Sequence, residues 1–265
     1  MKKNLLKIGI GVVAIAVVVL VVMLVMSKTQ KVKNPVATIV IEGYDKPIKV
    51  ELDPQSAPNA VANFVKLANS GFYNDYKMSI DTNRLLGDQS NEMAKLSQIK
   101  ENPESNYTYG IKGDFIKNDV KNYIRHEKGV ITMERNDYTF FGLTEEGYNS
   151  ANCNFALLTK DIPEYNGYYA AFGKVIEGMD VLESIAASRV ENTNSEENAD
   201  IEENENTDDN ASEDENKITI KSITVDTFGV DYGMPETVNY EESYEKVQQI
   251  YSQYFGGSSN VVTTE

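Results

Sequence analysis

The stretch YYAAFGKVIEGMDVLESIA, Tyr168 to Ala186, decides how this chain is read. Its first half contains AAFGKV, a short apolar run that suits a buried strand, and its second half opens a helix expected over Met179–Ala187. Two upstream segments give it meaning by their order. In VELDPQSAPNAVANFVKLANSGFY, Val50 to Tyr73, an amphipathic helix is expected over Pro58–Ser70. Pro58 suits a first turn, Val61, Phe64, Val65 and Ala68 recur on one face, and Gly71 stops it. In HEKGVITMER, His126 to Arg135, Gly129–Met133 reads as a short apolar strand.

Outward from these segments the pattern is strand and turn. VATIVIE (Val36–Glu42) and PIKVEL (Pro47–Leu52) read as two strands joined at Gly43–Lys46. Phe155–Leu158 is another, and KITIKSITVD (Lys217–Asp226) alternates apolar residues with one phase slip. Residues from Tyr76 to Lys117 are strand and loop with weak patterning. Many strands with two helices suggest an antiparallel barrel.

The three segments together resemble the cyclophilin family of peptidyl-prolyl cis–trans isomerases, from Pro35 to Gly229. The resemblance implies a mainly β fold: a closed eight-stranded antiparallel barrel with a helix over each open end. It also implies isomerase activity on Xaa-Pro bonds, with no metal and no cofactor. Rotation about a peptide C–N bond meets a barrier of ~18–20 kcal/mol. A catalyst of that rotation needs a pocket for the proline ring and a donor that favours the pyramidal nitrogen of the twisted state.

In the family that donor is the arginine of an F-H-R motif after the G-F-Y that ends the first helix. Read without gaps from Gly71-Phe72-Tyr73, the motif falls on Met78-Ser79-Ile80, which has no such donor. A four-residue shift aligns Asn83-Arg84-Leu85-Leu86 instead and makes Arg84 the candidate catalytic residue; a solvated arginine is the plainer reading of it. The family's S-Q-F-F falls on Cys153-Asn154-Phe155-Ala156, and its pocket-wall phenylalanine becomes Ala156. The groove edge becomes Met133-Glu134-Arg135, the family histidine falls at Tyr169, and the aromatic or leucine before it falls near Glu164 and Tyr165. The expected substrate-binding set is therefore Phe155, Asn154, Ala156, Met133, Tyr165 and Tyr169. His126, the single histidine, is expected to be structural.

The ends and the charge complete the picture. Net charge is −16, of which Val190–Lys217 carries −11, and no basic stripe points to nucleic acid. No nucleophile with a base partner and no Gly-rich phosphate loop points to a hydrolase or kinase. One cysteine, Cys153, excludes an internal disulfide framework. After a basic stub (1–7), the nineteen residues Ile8–Met26 carry no charge and match a ~30 Å hydrocarbon core, so an uncleaved transmembrane anchor is expected. A cleavable signal peptide competes, though no A-x-A site follows. A linker (27–34), the cyclophilin-like domain (35–229) with a disordered acidic insert (192–216), and a C-terminal extension (230–265) complete the chain.

The globular part is placed outside the cytoplasm, where proline-containing secreted or surface polypeptides would be its clients. In the extension a helix is expected over about 240–255. Its Tyr240, Tyr244, Tyr251 and Tyr254 stripe would pack on the barrel or serve a partner. Three readings stand at this point: a weak isomerase, a catalytically degenerate peptide-binding module, and a tethered barrel that recruits a partner through its insert and tail.

Overall fold

A computed structural model describes residues 33–80, 84–87, 109–196 and 217–255. Strand β1 (Val36–Ile41) turns Ala37, Ile39 and Ile41 inward, and β2 (Ile48–Leu52) turns in Ile48, Val50 and Leu52. That alternation is the period-two signature of a half-buried strand. Helix α1 (Pro58–Asn69) starts on proline and buries Val61, Phe64 and Leu67. It ends where Gly71 takes φ +78° and the Phe72 amide donates to the Leu67 carbonyl at 3.0 Å, a Schellman-type stop that favours glycine.

The remaining strands are β3 (Tyr76–Ile80), β4 (Arg84–Gly87), β5 (Tyr109–Ile111), β6 (Val130–Met133), β7 (Phe155–Leu158), β8 (Ala171–Glu177), β9 (Lys217–Asp226) and β10 (Thr237–Asn239). Hydrogen bonding runs β1-β2-β8-β6-β7-β4-β3-β9, antiparallel at every step, and β9 pairs back with β1. The eight strands thus curl into a barrel without a free edge. The phase slip in KITIKSITVD is a bulge: Val40 faces Ser222, but Ile41 faces Ile220. Gly173 is needed where β8 meets β2, because a Cβ there would lie 2.5 Å from the Glu51 carbonyl oxygen.

The inner core centres on Phe64, whose ring lies 5.3–5.4 Å from those of Tyr73, Phe155 and Phe172. Burial of each such side chain contributes roughly 1.5–3 kcal/mol.

Other elements depart from expectation. Helix α3 (Met179–Glu196) runs past Ala187 and covers the first residues assigned to the acidic insert; 197–216 lie outside the described residues. A formed helix adds residues more easily than a new one nucleates, so polar residues extend it. The short helix α2 (Thr144–Tyr148) was not legible. In the C-terminal extension, β10 pairs with β5, and α4 (Tyr240–Phe255) approaches β5 and the 3-10 turn Thr139–Phe141. Val247 is buried, and Lys246 pairs with Glu146 of α2 at 3.3 Å. The side chains of Tyr240, Tyr244, Tyr251 and Tyr254 lie outside the described residues. Among the described residues no helix is long and apolar enough to cross a membrane; Ile8–Met26 lies outside them.

Candidate active site

Strands β6 and β7 pair with Ile131 opposite Leu157, Thr132 opposite Ala156 and Met133 opposite Phe155. Because side chains alternate, this register sorts the pair onto two faces. Ile131, Met133, Phe155 and Leu157 join the inner core. Phe155 and Met133, expected at a substrate surface, therefore point away from it; Phe155 meets Phe64 and Tyr73 edge-on. Thr132 and Ala156 lie on the outer face, where Val130, Leu158, Ile162 and Ala171 form a second apolar cluster with Ile124 and Tyr165 against it. Ala156 is fully buried, so the small residue does not leave an open gap.

Asn154 is also buried, and its side-chain oxygen accepts from the Tyr76 hydroxyl. Neighbouring carbonyls are held in the same way. The Tyr73 hydroxyl donates to the Cys153 carbonyl at 2.8 Å, and the Asn63 amide donates to the Asn152 carbonyl. Helix α1, its stop and β3 thus fix the approach to β7.

The strand after Gly71-Phe72-Tyr73 is β3, and it carries Met78-Ser79-Ile80. Buried Tyr76 and Met78 anchor this register, with Ser79 opposite Lys217 and Ile80 opposite Leu85. Arg84 begins the next strand, opposite Leu158. Arg84 thus stands on the strand that follows β3, four residues beyond Ile80. Its side chain lies outside the described residues.

The outer face is organised by His126. Its Nδ1 lies 3.2 Å from the Asn166 side-chain oxygen, and its Nε2 lies 3.1 Å from the Thr132 hydroxyl. An amide oxygen only accepts, so Nδ1 carries the proton and Nε2 accepts from threonine. Burial pushes the His126 pKa down to about 4, against the raising effect of the Asn166 bond. The ring is neutral at pH 7 and pins two loops onto β6, as a structural histidine should.

From His126 a stack of rings runs along the outer surface. Tyr165 meets His126 edge-on at 5.6 Å and lies parallel to Tyr169 at 3.9 Å. Tyr169 carries the Arg135 guanidinium 4.4 Å from its centroid; the rings of Tyr148 and Phe115 approach Arg135 at 5.1 and 5.7 Å. Arg135 also donates from Nε to the Tyr168 carbonyl and from Nη1 to the Asn136 carbonyl, both at 2.9 Å. Tyr165 and Tyr169, both expected at the site, are thus brought together. Arg135, Tyr148, Phe115 and Asn166 were not singled out from sequence, because they come from separate segments with no shared local signal.

Asp114 is a second unforeseen group. Helix α1 has no side-chain cap at Ala57; instead buried Asp114 accepts from the Ala60 amide at 2.8 Å. Its other oxygen is buried without a partner, and burial raises its pKa to about 6. Away from the outer face, a cleft of about 260 Å³ lies between α2, β10 and α4, lined by Glu145, Glu146, Glu242 and Lys246 among others.

An antiparallel eight-stranded barrel whose core is joined by the apolar face of α1, with a stack of tyrosines beside β6, defines a class. The model of the family described as "Cyclophilin type peptidyl-prolyl cis-trans isomerase/CLD" matches residues 36–224. The chain belongs to the cyclophilin family. Peptidyl-prolyl cis-trans isomerase A of Dickeya dadantii is 29% identical over 151 residues, 57% of this chain and 72% of that protein. The peptidyl-prolyl cis-trans isomerase of Helicobacter pylori is 31% identical over 141 residues, 52% of this chain and 73% of that protein. A crystal structure of a Cryptosporidium parvum cyclophilin-type isomerase aligns at 19% identity with a TM-score of 0.49, covering 73% of this chain and 98% of that one.

Proposed function

We propose that this protein is a peptidyl-prolyl cis–trans isomerase of low catalytic power, acting on Xaa-Pro bonds of extended polypeptides. Membership of the cyclophilin family is the observation that carries this reading. The half-buried Tyr165, Tyr169 and Arg135 surface supports it, since rings and a guanidinium suit a proline and its flanking amides. Low power follows from β3, where Ile80 takes the place of the family's donor. Anchoring by Ile8–Met26 with the domain on the extracytoplasmic side would direct the activity to secreted or surface proteins. The C-terminal helix α4, beyond its contacts with β5, would offer a surface to a further partner.

The test is catalysed cis–trans exchange of an Ala-Pro peptide, measured by NMR on the full-length chain in mild detergent. Faster exchange than in protein-free buffer supports an isomerase. Peptide binding without acceleration supports the second reading, a peptide-binding module, which Ile80 and the buried Ala156 favour. Protease accessibility of the domain in sealed membranes tests the orientation.

A further inference from the structure

We propose that Arg135 supplies the hydrogen-bond donor that β3 lacks. This rests on the isomerase reading and deepens it. No covalent bond forms or breaks in the reaction: the C–N bond rotates, conjugation is lost, and the prolyl nitrogen becomes a pyramidal lone-pair acceptor. A donor aimed at that lone pair stabilises the twisted state more than either planar isomer. Such a donor acts best when it is fixed before the substrate arrives.

Arg135 meets the second requirement, a donor group fixed in advance. It follows the groove-edge strand β6 and lies on the face of Tyr169. Three rings surround its guanidinium, and two backbone carbonyls hold Nε and Nη1. Nη2 has no hydrogen-bond partner among the described residues and remains available to a substrate. A guanidinium stays protonated across the physiological range, so its donors are always present. Lys117 is exposed and lies over Tyr168 at 5.5 Å. Arg84 stands on β4 opposite Leu158, at the other end of β7 from Asn154, whose carbonyl bonds the Glu134 amide at 3.0 Å. The family's arginine reaches the groove from a strand; here the loop after β6 would bring it.

The experiment compares wild type, Arg135→Gln, Arg135→Met and Arg84→Gln as full-length chains in mild detergent. Exchange on saturating Ala-Pro peptide is read together with the peptide dissociation constant. Methionine keeps a flexible, unbranched apolar chain that can pack among the rings but removes every donor, so it tests the role even if glutamine loosens the fold. Loss of one well-placed donor should slow exchange on bound peptide about a hundredfold, while the dissociation constant moves less than about threefold. Arg84→Gln should stay within about twofold of wild type. Folded Arg135→Met that exchanges as fast as wild type overturns the proposal and leaves the isomerase reading standing. Loss of exchange in Arg84→Gln alone overturns it in favour of β4. A wild type without exchange removes the isomerase reading, and this proposal with it.

Discussion

The two faces of the β6–β7 pair differ in what they keep. Inward, Ile131, Met133, Phe155 and Leu157 join one continuous core with α1. Outward, Thr132 and Ala156 lie in a second environment, with His126 bonded to Thr132 and the tyrosine stack running on from it. The inner face answers to packing density and tolerates little change. The outer face, set by loops before β6 and after β7, carries an aromatic lining. The inner-face residues thus join the main core, while the outer-face residues of the same strands meet the flanking loops.

Breaking the inner face should have the largest effect. Phe155→Ala is expected to cost about 3–5 kcal/mol in urea unfolding, because its ring fills space between Phe64 and Tyr73. A loss below about 1 kcal/mol would mean that the core is not the support described here.

Titration separates the two regions next. His126 has its pKa lowered from 6.5 to about 4, so its contribution is present above pH 6.5 and is lost as pH falls toward 4. Asp114 has its pKa raised from 3.8 to about 6, so its charged form costs stability as pH rises through that range. Each effect is on the order of 3 kcal/mol, and they oppose one another. Melting temperatures between pH 6.5 and 4.5 should therefore fall more steeply in Asp114→Asn than in wild type, and less steeply in His126→Gln. Parallel slopes in all three would refute the assignment.

Filling the outer face should cost less. Ala156→Phe is expected to destabilise by about 1–3 kcal/mol, since Ala156 is already fully buried. A stabilised variant with tighter peptide binding would show instead that the outer face retains room for a pocket wall. The smallest effect is expected at the surface. Lys128 and Glu183 pair at 2.6 Å with both side chains well exposed, and Lys128→Ala should cost less than about 1 kcal/mol, less still at high salt.

Much of the fold was legible because its signals are local. Pro58, the spacing of Val61, Phe64 and Val65, and Gly71 delimit α1 from within twelve or so residues. The alternation of β1 and the slip in β9 were equally plain, and the slip became a bulge. What failed depended on contacts between distant segments. Residues Thr237–Asn239 carry no strong strand pattern and form a strand only by pairing with β5. The cap of α1 comes from Asp114, far along the chain. The candidate site was the least legible: Arg135 takes its position from Phe115 and Tyr148, which no local spacing connects to it. The F-H-R position lies in a stretch where no local spacing decides between Ile80 on β3 and Arg84 on β4.

The most direct test of the central claim is amide chemical-shift mapping of the isotope-labelled full-length chain during titration with an Ala-Pro peptide. If the outer face of β6–β7 is where proline polypeptides bind, perturbations should cluster at Met133–Asn136 and Tyr165–Ala171. Perturbations confined to α4 and its cleft, or none at millimolar peptide, would contradict it.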